Sequence, residues 1–232
     1  NSSAASDVYK RQVWNTGKVS NSGAGTIEIT GGDITAIGAS DGAGIGSGTW
    51  ATGETNITIS GTAKINARTD QGGAGIGSGS DATGNTNITI SGGTIENAQG
   101  GSGGAGIGSG DGSTGQTTVT IKSGTIVEAV GGDLGDGIGG GCGRSNTTVT
   151  IQGGYIQKAQ GGKDFGPYYD AGDGIHSDGN LTISGGTIGT AQGGDGKGKS
   201  GGSGIYSSRT LTVSDGTIGT APVSYTHLRA HE

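Results

Sequence analysis

An isoleucine within a glycine-rich formula returns along this chain at nearly constant spacing. The formula reads GAGIGSG or a close variant, and its isoleucine stands at 45, 76, 107, 138, 175 and 205, with intervals of 31, 31, 31, 37 and 30 residues. A fixed period of this length is typical of solenoids, in which each repeat forms one turn and stacks on the next. The repeat therefore constrains the fold more strongly than any other feature of the chain.

Two further short patterns accompany each formula. A second element runs from TIEI (26–29) to TLTV (210–213), and a third, such as GGTI, follows each time after a glycine corner. Both alternate apolar and polar residues with a period of two, which predicts β-strands rather than helices. Stacking of the turns would then point four isoleucines of one turn inward, onto their equivalents above and below: Ile45, Ile57, Ile59 and Ile65.

We therefore predict an all-β chain folded as a right-handed single-stranded parallel β-helix, a solenoid of about 6–7 turns of about 31 residues with three short strands per turn. The handedness follows from the preference of parallel crossovers. Stacked turns bury the apolar face that one turn cannot bury alone, and each buried isoleucine contributes roughly 1.5–3 kcal/mol. Composition alone, with 58 glycines and 28% hydrophobic residues, would indicate a disordered polymer. The regular repeat is the stronger evidence, and it indicates a folded chain.

The two ends of the chain look foreign to the repeat. SSAASDVYKRQ (2–12) and VSYTHLRAHE (223–232) back-translate into the two transposase-end adapters of a sequencing library, and we expect them to be artefacts. His176 is then the only native histidine. The expected organisation is an artefact at 1–12, one solenoid domain at 13–222 cut from a longer gene, with regular turns over 13–160 and altered loops over 161–222, and an artefact at 223–232.

Charge and cysteine content exclude several classes. The formal charge is −6, and over 13–222 it is 10 basic minus 17 acidic residues, or −7; without a basic stripe, nucleic acid is not an expected partner. The longest apolar runs fall far short of the roughly 20 residues of a membrane span. The single cysteine, Cys142, has no disulfide partner and no metal-ligand spacing around it, so we interpret it as a small filler residue.

Loop lengths divide the solenoid into two parts. The distance from first-strand to second-strand isoleucine or its equivalent is 12, 12, 12 and 11 residues in four turns, and then 6 and 6. The distance from the third strand to the next first strand is 11, 11, 12 and 12, and then 19 and 17. At turn five the longer loop therefore changes place, from the corner after the first strand to the corner before it. We expect a ledge or shallow cleft at this step.

Outward positions of the first strand change character at the same turn. They are glycine in the first four turns, and they become His176 and Asp178 in turn five and Tyr206 and Ser208 in turn six. Arg209 falls just beyond Ser208. Side chains able to contact a ligand therefore first appear where the loops change.

The lengthened loop that enters turn five is aromatic. It reads GGKDFGPYYDAG (161–172) and holds three of the seven aromatic residues between 13 and 222. Aromatic rings pack on the C–H face of a sugar while polar groups bond its hydroxyls; alternatively, the loop folds its rings down to cover a corner of the solenoid. The carbohydrate-binding candidates are Phe165, Tyr168, Tyr169, His176, Asp178, Tyr206 and Arg209.

Two aspartates replace the alanine of the formula in adjacent turns. Asp136 and Asp173 should stack about 5 Å apart, and two carboxylates at that distance must protonate, pair or share a cation. Calcium, which favours oxygen ligands, is the expected cation; the alternative is that each carboxylate accepts hydrogen bonds from glycine-loop amides. The metal candidates are Asp136, Asp173 and Asp170, with Asp133 as a further possible ligand.

The remaining polar groups give little support for catalysis. The second strands display a ladder of Asn and Thr that could order water or lie along a flat polymer, although such a ladder is usually a soluble β-face. His176 lacks a recognisable Ser–His–Asp set, and glycoside hydrolysis needs two carboxyl groups at a defined separation. β-Elimination on an acidic polysaccharide would need a base such as Arg209 beside calcium. We therefore expect no enzyme activity.

Turns five and six resemble a known kind of domain. DGIHSDGNLTISGGTI (173–188) is similar to the signature turn of bacterial parallel β-helix carbohydrate-binding domains of the pectate-lyase-like kind, which bind cellulose and acidic plant polysaccharides. The GGAGIGSG…NITISGGTI turns over most of 23–160 resemble glycine-rich arrays in surface proteins of gut-type anaerobes. The resemblance implies calcium and acidic sugars as ligands, with Asp173, His176 and Asp178 at the matching positions.

The expected function is that of a non-catalytic extracellular polysaccharide-binding or adhesin-type β-solenoid of a bacterial surface protein. It would be a monomer flanked by neighbouring repeats, and its ligand would be an acidic plant-type polysaccharide or a host glycan. Turns one to four lack the side chains of turn five and would serve as a stalk. A purely structural surface repeat is the main alternative, while a polysaccharide lyase and an ice-binding protein are more distant ones.

Overall fold

The structure is a computed structural model that describes residues 14–15, 25–143, 146–164, 166, 168–196, 200–225 and 228–230. These residues form nineteen strands and no helix, and all the strand pairs are parallel. The described part of the chain accordingly contains no helix that is long and apolar enough to cross a membrane. The predicted all-β parallel solenoid, with about six turns of roughly 31 residues, is confirmed.

One sheet contains the first strand of every turn. Its register pairs Ile45 with Ile76, Ile76 with Ile107 and Ile107 with Ile138, and continues through Ile175 to Ile205. The isoleucine of the glycine-rich formula is thus the fixed point of each turn. The strands of this sheet are β4 (Ile45–Gly46), β7 (Ile76–Gly77), β9 (Ile107–Gly108), β11 (Ile138–Gly139), β14 (Ile175–Ser177), β16 (Ile205–Ser207) and β18 (Val223–Tyr225).

A second sheet contains the second and third strands and bends around a corner. In some turns the two strands are separate, and in others they run on as one long strand with a register shift at the corner. The strands are β1 (Trp14–Asn15), β2 (Gly25–Ile29), β3 (Asp33–Gly38), β5 (Thr55–Ile59), β6 (Lys64–Thr69), β8 (Thr86–Gln99), β10 (Gln116–Val130), β12 (Asn146–Ile151), β13 (Tyr155–Gln160), β15 (Leu181–Gln192), β17 (Leu211–Thr220) and β19 (Leu228–Ala230).

The corner between the second and third strands requires glycine. Gly93, Gly124, Gly154 and Gly186 occupy equivalent positions and have φ angles of 76°, 95°, 85° and 86°. Side chains with a Cβ disfavour these angles, whereas glycine adopts them freely. The GG or SG pair that marks this corner in the sequence is therefore a consequence of backbone geometry.

The core is a stack of aliphatic ladders enclosed by the two sheets. Ile57, Ile59 and Ile65 are at most 1% exposed, and Ile45, near the end of the stack, is 5% exposed. Their equivalents in the following turns are buried in the same way. The prediction that these four isoleucines point inward is confirmed.

Serines of the glycine-rich formula connect successive turns from inside. Ser47, Ser78 and Ser109 are buried, and their hydroxyl oxygens accept hydrogen bonds from the amides of Gly79, Gly110 and Gly141, at 3.2, 3.0 and 2.8 Å. Each serine lies two residues after the inward isoleucine and so faces the same side of the strand. The sequence analysis did not predict this inward serine ladder. The spacing of two residues from the isoleucine was the signal that could have shown it.

The first strand changes its backbone conformation between turns four and five. Gly46, Gly77, Gly108 and Gly139 have φ angles of 145°, 145°, 146° and 152°. A Cβ on Gly77 would overlap the carbonyl oxygen of Gly108, and each of the first three glycines meets the next one in this way. At the equivalent positions of β14 and β16, which pair with each other, φ is negative. Side chains appear there because the backbone has become able to carry them.

The C-terminal end of the chain adds strands to both sheets. β18 pairs with β16, and β19 pairs with β17. Strand pairing does not test where a sequence comes from, so the adapter origin of 223–232 stays a prediction. The same expectation for 1–12 falls outside the described residues, and the right-handed coil also stays a prediction.

Candidate functional site

A cleft of about 450 Å³ opens at the edge of the solenoid between turn four and turns five and six. It lies at the step where the loop lengths change, which is where the sequence predicts a ledge. Turn four forms one wall, and the long loops that precede β14 and β16 form the other. The lining residues are Leu134, Asp136, Gly141, Cys142, Gly143, Tyr169, Asp170, Ala171, Asp173, His176, Asp178, Ser200, Gly201, Gly202, Ser203 and Tyr206.

The two long loops are held together by backbone hydrogen bonds. The amide of Ala171 donates to the carbonyl of Ser200 at 3.0 Å, and the amide of Gly194 donates to the carbonyl of Gly172 at 2.8 Å. Glycine allows these segments to approach closely, since a Cβ on Gly202 would overlap the carbonyl of Gly172. The wall of the cleft is therefore a stacked pair of loops.

Asp136, Asp173 and His176 converge at the floor of the cleft. The imidazole Nδ1 of His176 lies 3.0 Å from Asp173 Oδ2 and 3.2 Å from Asp136 Oδ2. The Asp136 side chain is 7% exposed, and those of Asp173 and His176 are 15% and 19% exposed. The predicted stacking of the two aspartates in adjacent turns is present, and the histidine between them is the part that the sequence did not indicate.

Backbone amides fix both carboxylates. Asp136 accepts hydrogen bonds from the amide of Gly140 at Oδ2 and from the amide of Asp173 at Oδ1, each at 2.7 Å. Asp173 accepts from the amide of Ser203 at 2.5 Å through Oδ1, which leaves Oδ2 directed at the imidazole. Hydrogen bonds from loop amides, the alternative to a cation considered for these aspartates, are thus present alongside the contacts to His176.

The other side of the imidazole faces Asp178. Asp178 Oδ1 lies 3.4 Å from His176 Nε2, and Oδ2 accepts a hydrogen bond from the amide of Thr147 at 2.7 Å. Nε2 is buried and has no hydrogen-bond partner among the described residues. His176 is consequently placed between two carboxylates on one side and a third on the other.

These contacts change the ionisation of the cluster. Burial acts to lower the pKa of His176, but the charge of Asp136 and the contacts with Asp136, Asp173 and Asp178 outweigh it, so the pKa is raised far above its ordinary value. Burial raises the pKa of Asp136, and the imidazole opposes that change. Burial likewise raises the pKa of the Cys142 thiol, with a further contribution from Asp111. These directions favour a protonated imidazole held between the carboxylates.

Two aromatic rings line the cleft, and one of them contacts the cluster. The ring of Tyr206 lies edge-on to the imidazole of His176, with centroids 5.0 Å apart and an angle of 70° between the planes. Tyr169 is 57% exposed at the wall. An exposed ring beside fixed polar groups is the arrangement from which carbohydrate sites are built.

Of the remaining sequence candidates, Asp170 lines the cleft and the other described ones lie outside it. Tyr168 is 80% exposed and outside the cleft, and Arg209 is also exposed and outside it. Phe165 lies outside the described residues. Asp170 lines the cleft but does not belong to the converging group of Asp136, Asp173 and His176, and Asp133 does not line the cleft.

The fold and the site together define a parallel β-helix repeat protein with a cleft at one step of its stack. Its regular turns are similar to the family model described as a beta helix repeat, which matches residues 27–49, 57–80, 88–111 and 119–142. Each match covers a second strand, a third strand and the first strand of the next turn, and the last one ends at Cys142, at the edge of the cleft. Comparison with curated proteins and with solved structures finds no match.

Proposed function

We propose that this chain is a non-catalytic, extracellular glycan-binding β-solenoid from a bacterial surface protein, and that it binds its ligand in the cleft at turns four to six. Adhesion to a polysaccharide or host glycan would be the biological use of such binding. The observation that carries the proposal is the cleft itself, where the exposed ring of Tyr169 stands beside the His176–Tyr206 pair and fixed carboxylates.

The dimensions and polarity of the cleft suit a sugar better than an apolar ligand. A volume of about 450 Å³ is within the range of sites for small ligands, and it would hold one or two sugar rings of a longer polymer. The lining combines tyrosine rings with carboxylates, serine and backbone amides. The C–H face of a sugar could therefore pack on a ring while its hydroxyls bond the polar groups.

The carboxylates of the floor support binding rather than catalysis. Asp136, Asp173 and Asp178 each accept a backbone hydrogen bond and each lie near the imidazole of His176. A glycosidase needs one carboxyl group free to protonate the leaving group and another free to attack or to activate water. Carboxylates engaged in this way are suited to accept hydrogen bonds from sugar hydroxyls.

The charge of the lining affects which glycan would bind. Four carboxylates and one imidazole face the cleft, so a neutral polysaccharide such as a cellulose-type glucan would meet less repulsion than a polyuronate. An acidic polymer would need a cation between its own carboxylates and those of the protein. We therefore place neutral glycans ahead of acidic ones.

The regular turns before the cleft would hold it at a distance from the cell. Their outward first-strand positions are bare glycine, and backbone contacts between turns replace side chains there. Such a segment would serve as a spacer, the stalk expected from the sequence.

Affinity electrophoresis of the full chain tests this proposal. The gels would contain hydroxyethyl cellulose, pectin or host glycans, each with and without EDTA. We expect retardation on at least one polymer and about tenfold weaker retention for Tyr169→Ala, because that variant loses the stacking ring. Tyr155→Ala is the matched control, since Tyr155 is also an exposed tyrosine, at 42%, but it lies on β13 of the other sheet.

Three outcomes would overturn the proposal. Absence of retardation on every polymer would leave the purely structural surface repeat as the function. Equal losses for Tyr169→Ala and Tyr155→Ala would move binding away from the cleft. Release of unsaturated products from pectin, followed by ultraviolet absorbance, would identify a polysaccharide lyase.

A further inference from the structure

The group formed by Asp136, Asp173 and His176 has the arrangement of a metal centre with one imidazole and two carboxylates. One ligand atom from each residue, Nδ1 of the histidine and one oxygen of each carboxylate, lies within 4.8 Å of the others. We propose that these three residues bind a divalent transition-metal ion of the zinc class. This inference is independent of glycan binding and would hold if the cleft bound no sugar.

The spacing of the ligand atoms agrees with such an ion. A cation about 2.1 Å from each nitrogen or oxygen ligand leaves neighbouring ligand atoms roughly 3.0–3.4 Å apart in octahedral or tetrahedral geometry. His176 Nδ1 lies 3.0 Å from Asp173 Oδ2 and 3.2 Å from Asp136 Oδ2. The three ligand atoms all lie within 4.8 Å of one another, so an ion that displaces the Nδ1 proton would have to bring the two carboxylate oxygens to this spacing.

A third carboxylate, that of Asp178, lies next to the other ring nitrogen of His176. Histidines that bind metals almost always donate their other ring N–H to a carboxylate or carbonyl, which fixes the tautomer and the ring orientation. Asp178 Oδ1 lies 3.4 Å from Nε2, and its other oxygen is fixed by the amide of Thr147. Within the described part of the chain Nε2 is buried without a hydrogen bond, and a slight rotation of the ring toward a metal would complete this contact.

The carboxylates are held in place before any ion arrives. Asp136 accepts two backbone amides and Asp173 accepts one. Gly139 makes room for the arrangement, since a Cβ there would lie 2.8 Å from Asp136 Oδ2 and 2.9 Å from the Cβ of His176. The group also borders the cleft, so water or a ligand group could fill the remaining coordination positions.

Charge also favours a divalent cation in the group. Three carboxylates surround one imidazole, and the Asp136 side chain is only 7% exposed. A divalent cation would offset two of the three negative charges that these carboxylates carry when ionised. Buried carboxylates are stabilised when a cation balances them.

The donor set suits zinc better than calcium, the ion expected from the sequence. Calcium takes six to eight oxygen ligands, whereas two carboxylates and an imidazole nitrogen converge here, and Asp170 lies outside the group. Imidazole is a typical ligand of zinc, nickel and copper. The nitrogen at the centre of the group is the feature that distinguishes the two classes of ion.

Calorimetric titration of the full chain with Zn²⁺, Mn²⁺ and Ca²⁺ tests the inference. The chain would be stripped with EDTA and would carry His227→Ala and His231→Ala, so that these C-terminal histidines cannot bind the added metal. We expect one Zn²⁺ per chain, at least tenfold weaker binding of Ca²⁺, and an increase in thermal midpoint on adding Zn²⁺. Co²⁺ should bind without a thiolate charge-transfer band, which separates this group from Cys142.

Substitutions locate the ion. His176→Ala and Asp173→Asn should weaken Zn²⁺ binding at least tenfold, and Asp178→Asn, which leaves the three ligands intact, about tenfold. Asp111→Asn is the matched control, because Asp111 is a partly buried carboxylate outside the group. The affinity of this variant for Zn²⁺ should equal that of the parent chain. Circular dichroism without metal verifies that each variant folds.

Three results would contradict the inference. Failure of the stripped chain to bind Zn²⁺ would assign the group a purely structural role as an ion cluster. Binding of Ca²⁺ in preference to Zn²⁺ would restore the ion expected from the sequence. Zn²⁺ binding that persists unchanged in folded His176→Ala and Asp178→Asn would place the ion elsewhere.

Discussion

Turns two to four and turns five and six share one core but differ at their outer edge. The same isoleucine ladder runs through both, with Ile76, Ile107, Ile175 and Ile205 all fully buried. In the first region the position after this isoleucine is glycine with φ near 145°, whereas in the second it is histidine or tyrosine with a negative φ. A side chain at this edge thus requires a different backbone and not only a different residue.

This difference explains why several sequence changes occur together. When turns pack through bare glycine, the carbonyl of the next turn occupies the space of a Cβ. Once the backbone changes, the first strand lengthens from two to three residues and its side chains become accessible. The cleft, the long loops and the histidine therefore belong to a single structural transition.

The largest expected effect comes from placing a side chain in the regular region. Gly77→Ala should lower the free energy of unfolding by about 4 kcal/mol or more, because the new Cβ overlaps the carbonyl of Gly108 in a positive-φ conformation. Urea unfolding followed by circular dichroism measures the change. Gly25→Ala is the control, since no atom of the described residues lies within 4 Å of its Cβ position. Equal losses in the two variants would show that the overlap at Gly77 does not set the cost.

The next effect concerns the aspartates at the alanine position. Asp136→Ala restores the regular formula but leaves His176 with one fewer carboxylate, and it should cost about 3 kcal/mol of unfolding free energy. The reciprocal change, Ala105→Asp, buries a carboxylate beside bare glycine and should cost a similar amount. Thermal and urea unfolding test both. If Asp136→Ala proves neutral, the cluster does not stabilise turn five.

The sequence predicted the solenoid well because the core depends on local periodicity. Alternation placed Ile57, Ile59 and Ile65 inside, and constant spacing set the register of every turn. The stacking of Asp136 on Asp173 followed from the same counting. These contacts follow from the repeat spacing alone, because each residue packs on its own equivalent in the next turn.

The side-chain contacts in the cleft could not be predicted from the spacing of residues in the sequence. Parity placed His176 outward, but it could not show that the imidazole turns between two carboxylates, because this depends on the change in φ after Gly139. Loop composition indicated aromatic contacts, yet Tyr169 lines the cleft while Tyr168 does not. Side-chain direction within a long loop depends on contacts between turns, and no sequence period encodes them.

A smaller effect is expected from the ring beside the histidine. Tyr206→Ala should cost about 1 kcal/mol of stability, because the edge-on contact with His176 is lost. Tyr206→Phe retains the ring and should remain close to the parent chain in thermal unfolding. If the alanine and phenylalanine variants behave alike, the ring contact does not contribute to holding His176.

The smallest effect concerns a carboxylate of the regular region. Burial, assisted by Asp81 and Asp41, raises the pKa of Asp111 above its ordinary value of 3.8. The unfolded chain then releases this proton at a lower pH than the folded chain, so stability falls as pH rises from about 3.8 through the raised pKa.

Asp111→Asn removes that dependence. The variant should be more stable than the parent at pH 7 by about 0.5 kcal/mol or less, and this advantage should disappear near pH 4. Thermal unfolding at the two pH values measures it. A variant that is less stable than the parent at pH 7 would show that Asp111 is favourably paired, as the carboxylates around His176 are.

Hydrogen–deuterium exchange tests the central claim most directly, namely that the step at turn five is the binding site and the regular turns are its support. The full chain would be measured with and without the polysaccharide that retards it most. The account predicts slower exchange in peptides covering 134–143, 169–178 and 200–206, and unchanged exchange in peptides covering 72–79 and 103–110. Protection spread along the regular turns, or confined to them, would contradict it.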